Sequence, residues 1–224
     1  MTHRVLVIAP HPDDEIIGCA GTMARHIKAG DTVYVLVVTR GIPALFPDAL
    51  IQQVRGEMHT AHQLLGVKET RVMDFPAPML DVTPGYELAN AISGVIREFA
   101  PDTVYIPHRG DIHADHGKVH LAALIAARPI NGCSVRRVLS YETLSETDWA
   151  PPTGENAFIP TVFVDITEFL PLKLEAMKCF TSQLKAYPNT RSLESLAALA
   201  RVRGGTISVG SAEAFMLIRH IETD

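Results

Sequence analysis

Two short stretches concentrate the residue types that could do chemistry. The first is Pro10-His11-Pro12-Asp13-Asp14-Glu15, directly after the apolar run Val5-Leu6-Val7-Ile8-Ala9; the second is Pro107-His108-Arg109-Gly110-Asp111-Ile112-His113-Ala114-Asp115-His116, directly after Thr103-Val104-Tyr105-Ile106. Adjacent aspartates are costly in a core unless a cation, a proton or a hydrogen-bond donor faces them. An imidazole two residues upstream adds a second, metal-compatible ligand type. His113 and His116 flank an aspartate at a spacing of three, so a turn leading into a helix can aim one ring at a metal and the other at a substrate. A lone histidine is ordinarily a surface or packed residue, and a lone Asp-Asp ordinarily a helix cap. Both clusters, however, follow an apolar run, and that joint placement favours one shared metal site.

The elements that must position these clusters follow from hydrophobic periodicity. Each short β-branched run reads as a buried strand, and ligands of open α/β sheets bind beyond the carboxyl ends of such strands. From Glu15 to Ala29, apolar residues recur at helical spacing (Ile16, Ile17, Ala20, Met23, Ala24, Ile27), and Gly30 is a natural stop. Thr32 to Val38 is a second strand, followed by a loop through Pro43 and a helix from Ala49 to Leu65 ended by Gly66. Arg71-Val72-Met73 is a short strand, then come a Pro-rich loop through Pro84, a helix over Tyr86 to Phe99, the strand 103–106, a helix over Asp115 to Ala127 and a strand over Val135 to Tyr141. Beyond it the pattern predicts a strand at Val162-Phe163-Val164 and helices over Phe169 to Phe180 and Ser192 to Arg203; Ala214 to Ile218 fits either state. Alternation of strand and helix implies right-handed crossovers, hence a Rossmann-like three-layer α/β/α sandwich around a mostly parallel sheet.

With both motifs in place, the chain resembles the PIG-L/LmbE-like family of zinc-dependent N-deacetylases. His11-Pro12-Asp13-Asp14-Glu15 and His113-Ala114-Asp115-His116 are similar to the family's two signature motifs. Arg55-Gly56-Glu57 with Ala61 and Leu64-Leu65-Gly66-Val67 resembles its second-helix pattern, and Glu213-Ala214-Phe215 its carboxyl-terminal segment. The resemblance implies a metal held by His11, Asp14 and His116, with water completing an open coordination sphere. Zinc is the expected ion, although ferrous iron or another divalent ion also suits a His-His-Asp set. Asp13 would be the general base, His113 would stabilise the oxyanion of the tetrahedral intermediate, and Asp115 would orient the His113 ring. The implied reaction hydrolyses the linear amide of an N-acetylated, N-acetylglucosamine-like conjugate to acetate and a free amine. The resemblance also implies a homo-oligomer, and it makes Arg55 the best substrate-binding residue.

Departures from the family pattern bear on the substrate. Ile42 and Pro43 stand where relatives often place an acidic residue, and Phe75-Pro76-Ala77-Pro78-Met79-Leu80 is more apolar than the polar loop expected there. Both favour a more hydrophobic substrate moiety. Two other readings use the same residues: a metal-dependent amidase acting on a non-sugar N-acyl small molecule, and a metal-stabilised ligand-binding α/β protein without catalysis. The second would leave Asp13 and His113 without a role.

Other features read as structural. His59 and His62 lack a carboxylate nearby in sequence and are expected on the surface, Gly18 and Gly21 are expected to allow close helix-to-sheet packing, and Glu15 is expected to serve the helix dipole. Arg191 follows Tyr187-Pro188-Asn189 and could reach a site across a subunit boundary. With 224 residues and 47% hydrophobic content the chain can bury one full core, so a single domain over 1–224 is expected. A net charge of −5 without a basic stripe argues against nucleic acid as partner. Three dispersed cysteines, no apolar run of the ~20 residues that span a bilayer and no leader-like amino terminus point to a cytoplasmic protein without membrane insertion.

Overall fold

The computed structural model describes residues 2–222. A seven-stranded sheet runs in the order β3-β2-β1-β4-β5-β7-β6. Its strands are β1 (Arg4–Ala9), β2 (Thr32–Gly41), β3 (Glu69–Ala77), β4 (Thr103–Pro107), β5 (Arg137–Tyr141), β6 (Val162–Asp165) and β7 (Ala212–His220). The first five pair in parallel, while β7 lies antiparallel to both β5 and β6. Among the described residues six α-helices cover the sheet: α1 (Asp14–Lys28), α2 (Asp48–Leu65), α3 (Gly85–Phe99), α4 (Ala114–Ala126), α5 (Leu170–Lys178) and α6 (Leu193–Thr206).

β1 is central because five consecutive aliphatic residues, Val5 to Ala9, tolerate burial on both faces. One layer joins Ile16, Ala20 and Met23 of α1 to Met58 and Ala61 of α2, Met177 of α5 and Leu196 of α6. The opposite layer joins Leu88, Ile92, Val95, Ile96 and Phe99 of α3 to Val119, Ala122 and Ala123 of α4. The i, i+3, i+4, i+7 spacing along α3 forms the apolar stripe that such a layer requires. Gly18 and Gly21 do pack closely, since a Cβ at Gly18 would stand 2.4 Å from the Tyr141 ring and one at Gly21 would stand 2.7 Å from Ile166.

The order places β2 and β3 on one side of β1, and β4 and β5 on the other. The chain therefore reverses its direction of winding between β1 and β4, and the crevice beyond their carboxyl ends is the topological switch point of the sheet. Both chemically loaded clusters emerge there.

Three elements differ from the sequence expectation. β2 continues through Thr39-Arg40-Gly41, and β3 runs to Ala77 beside it, with Arg40 opposite Pro76 and Gly41 opposite Ala77. β3 is an edge strand, where a proline without an N–H can be accommodated, so Pro76 does not end it. The undecided segment Ala214 to Ile218 lies within a strand, β7.

Candidate active site

The turn after β1 is tight. The Asp14 Oδ2 atom accepts from the His11 N–H at 2.8 Å, and the Asp13 carbonyl accepts from the N–H groups of Ile16 and Ile17 to begin α1. Asp13 itself has φ 110°, a left-handed conformation that costs a non-glycine residue about 1–3 kcal/mol. The surrounding bonds hold it there, with its carboxylate buried at the cavity floor.

The loop after β4 faces this turn. His116 is fully buried, and its Nδ1 lies 2.8 Å from Asp111 Oδ2; Asp111 in turn accepts from the Thr147 hydroxyl at 2.5 Å. This pairing turns His116 Nε2 towards Asp14, 3.3 Å from its Oδ2, in a direction that makes no hydrogen bond. His11 Nδ1 stands 3.2 Å from the same Asp14 oxygen. One ligand atom from each of His11, Asp14 and His116 lies within 4.8 Å of the other two. Asp14 Oδ1 and His116 Nε2 are buried without hydrogen-bond partners. Buried polar atoms are otherwise nearly always satisfied, and a divalent cation at this point would satisfy both.

His11, His113 and Asp115 form a second group of the same compactness, but its atoms have partners. Asp115 Oδ2 stands 3.1 Å from His11 Nε2, and Asp115 Oδ1 accepts from Leu80 N–H at 3.0 Å. The sequence expectation has Asp115 orienting the His113 ring. Its contact with that ring is through the backbone, the Asp115 N–H donating to His113 Nδ1 at 3.2 Å, while its carboxylate meets His11. That bond leaves the proton of a neutral His113 ring on Nε2.

Charge distribution follows from these contacts. Burial works against a charged His11 ring, yet the bonds to Asp115 and Asp14 and the Asp14 charge raise its pKa to about 9. For His116 burial is again opposed, here by the Asp14 charge and the Asp111 bond, and the pKa rises to about 10. Burial pushes Asp13 up to about 7, against the pull of the Arg191 guanidinium. Burial and the neighbouring His11 and His116 rings push His113 down to about 4, so it is neutral at pH 7.

Sequence reasoning missed two sets of contacts. Arg191, from the segment between α5 and α6 of the same chain, places Nη1 3.1 Å from Asp13 Oδ2, Nη2 3.2 Å from Glu146 and Nε 2.6 Å from the Ser145 hydroxyl. Glu15 is more than a first-turn charge. It is fully buried, pairs with His62 Nε2 at 2.8 Å and accepts from Asp13 N–H at 3.2 Å. His62 is therefore buried rather than exposed, its Nδ1 held 2.7 Å from the Thr70 hydroxyl. His59, its neighbour on α2, is exposed as expected.

A cavity of about 230 Å³ opens over His11, Asp13 and His113. Arg55 lines it, with Nη2 2.7 Å from Asp74. A larger cavity of about 350 Å³ lies between the ends of α3 and α4 and contains none of these groups.

Comparison with known proteins identifies the family. Residues 6–127 match the PIG-L family, described as GlcNAc-PI de-N-acetylase. The chain belongs to the PIG-L family. Within it, the chain is 36% identical over 159 residues to the 1D-myo-inositol 2-acetamido-2-deoxy-alpha-D-glucopyranoside deacetylase of Kineococcus radiotolerans, a match covering 55% of this chain and 44% of that one. The aligned part thus spans less than half of that relative. The same fold is evident in the conserved protein TT1542 from Thermus thermophilus, with TM-score 0.79, 25% identity and coverage of 100% of this chain and 98% of that one. GalB, the 4-carboxy-2-hydroxymuconate hydratase from Pseudomonas putida, shares it at TM-score 0.77 and 20% identity, covering 100% of this chain and 99% of that one. Architecture alone therefore does not set the reaction, and the site must.

Proposed function

We propose that this PIG-L protein is a zinc-dependent deacetylase of N-acetylated amino-sugar conjugates, acting as one domain. The observation that carries the reading is the pair of unpartnered buried atoms, Asp14 Oδ1 and His116 Nε2, grouped with His11, which lines the same cavity as Asp13 and His113. His11, Asp14 and His116 would hold the ion. When bound, it supplies Lewis acidity towards the acetamide carbonyl and towards the attacking water.

The chain's own groups do the rest. Asp13, raised to about 7 by burial, suits a base that takes a proton from water at neutral pH. The proton then passes to the leaving nitrogen as the C–N bond breaks, giving acetate and the free amine. Neutral His113, with its proton on Nε2, can donate to the oxygen on which negative charge develops. Asp115 acts on both rings at once, fixing His11 by its carboxylate and His113 by its backbone. Arg191 holds Asp13 in place and keeps its pKa from rising further.

The family's description and the name of the Kineococcus relative support an amino-sugar amide as substrate. The test is acetate release from N-acetylglucosamine conjugates by the zinc-loaded protein. Release from such conjugates is expected. Release only from non-sugar N-acetyl compounds would contradict the substrate class.

A further inference from the structure

The walls of the cavity are unlike. On one side stand Arg191, Glu146 and Gln183, with Arg191 already bonded to both of the others. On the other, Phe46, Leu50, Ile51 and Val54 form an apolar wall continued by Pro78. That wall does not stop at the cavity. Residues 43–49 are all exposed, and Pro43-Ala44-Leu45-Phe46-Pro47 contains no polar side chain, with Leu45 59% and Phe46 37% exposed. Next to Pro78, Met79 and Val82 are exposed as well. The two loops are tied together at their bases by a bond from Ile42 N–H to the Ala77 carbonyl at 3.3 Å.

We infer that the substrate beyond its acetamido sugar is apolar, an alkyl or aryl aglycone lying against Phe46, Leu50 and Val54 and reaching the rim at Leu45 and Met79. This rests on the deacetylase reading for what occupies the floor. A contiguous exposed apolar surface marks a place of interaction, and this one is continuous with the cavity holding Asp13 and His113. A polyol or dicarboxylate would find few free partners on this side. Arg55 is paired with Asp74 and Arg40 Nη2 lies 3.9 Å from Asp48, which leaves the buried Arg40 Nε as the unpartnered cationic nitrogen of this wall. An anionic conjugate is therefore the competing occupant.

The experiment compares the methyl, octyl and phenyl 2-acetamido-2-deoxyglucosides in both anomers, and N-acetylglucosamine 1-phosphate, as substrates of the zinc-loaded protein, with octyl glycoside kept below its micelle threshold. Binding of the octyl and methyl 2-amino-2-deoxyglucosides, which cannot be deacetylated, is measured by calorimetry. Each methylene buried on such a wall improves affinity by about fourfold, so the octyl compounds should show KM and Kd values at least about tenfold below the methyl ones. Phe46→Ser and Leu50→Gln should erase most of that ratio. Equal binding of octyl and methyl compounds, preference for the 1-phosphate, or an octyl advantage that survives both substitutions would each overturn the inference. If no glycoside releases acetate yet the octyl amine binds tighter through Phe46, the reaction reading fails and the apolar subsite stands.

Discussion

Arg191 Nη1 lies 3.1 Å from Asp13 Oδ2 across 178 residues of sequence. The guanidinium is the main influence lowering an Asp13 pKa that burial otherwise raises. Removing it should raise that pKa further, so less of the base is ionised at pH 7. For Arg191→Ala we expect the acid limb of the kcat/KM profile to move to higher pH, with at least about a tenfold loss at pH 7 that is regained on the alkaline side. Arg191→Lys should shift the limb less. An unmoved limb would show that Arg191 does not act on Asp13.

Glu15 sits between His62 and the strained Asp13 backbone. His62→Phe would leave a buried carboxylate oxygen without its partner, which costs about 1–3 kcal/mol. Urea denaturation should show that loss, and turnover should fall because the Asp13 N–H is held by the same carboxylate. Unchanged stability would mean that the Thr70–His62–Glu15 chain is not a determinant of the turn.

Lys173 and Glu213 form a buried pair at 2.6 Å that works within α1. Lys173 Nζ donates to the Ile17 carbonyl at 2.6 Å, and Glu213 accepts from the N–H groups of Gly21 at 3.0 Å and Thr22 at 2.7 Å. This places Glu213, part of a segment legible in the sequence, as a brace for the helix that begins at the site. Breaking a buried pair on one side strands a charge, so Lys173→Met should cost about 3–5 kcal/mol. The double variant Lys173→Met/Glu213→Gln should be more stable than Lys173→Met alone. A denaturation series in which the costs simply add would refute the coupling.

Protons and the proposed metal would compete for the same rings. With pKa values raised to about 9 and about 10, His11 and His116 are protonated in the metal-free protein at pH 7. Their folded-state values exceed the ordinary 6.5, so the stability they contribute without metal is full below that pH and is lost as pH rises through 9 to 10. A divalent ion needs both rings neutral, so its binding at pH 7 should release close to two protons and tighten steeply with pH up to about 9. Calorimetry in buffers of different ionisation enthalpy reads the number directly. No proton release would place the ion elsewhere.

The strands and both motifs are legible in the sequence because β1 and β4 are short apolar runs, each followed by a cluster of histidines and carboxylates. The helices are legible from their periodicity, and Gly66, at φ 85°, ends α2 as its position predicts. Less legible are contacts made by the fold over long separations. Nothing near Arg191 in sequence marks it as a partner of Asp13. His62 gives no signal because its carboxylate, Glu15, lies 47 residues away. β3 is longer than its pattern suggests because Pro76 breaks the local alternation, which an edge position permits. Proximity in sequence points Asp115 at His113, whereas its carboxylate meets His11 from 104 residues away.

In the proposed function a division of labour separates Asp13, which moves protons, from its neighbour Asp14, which holds the ion. It is tested by measuring bound zinc and acetate release together for the wild-type protein, Asp13→Asn and His116→Ala under metal-defined conditions. Asp13→Asn should keep its zinc and lose about 10²–10⁴-fold in rate, whereas His116→Ala should lose both zinc and activity. Wild-type rates in both variants, or loss of zinc from Asp13→Asn with retention in His116→Ala, would contradict it.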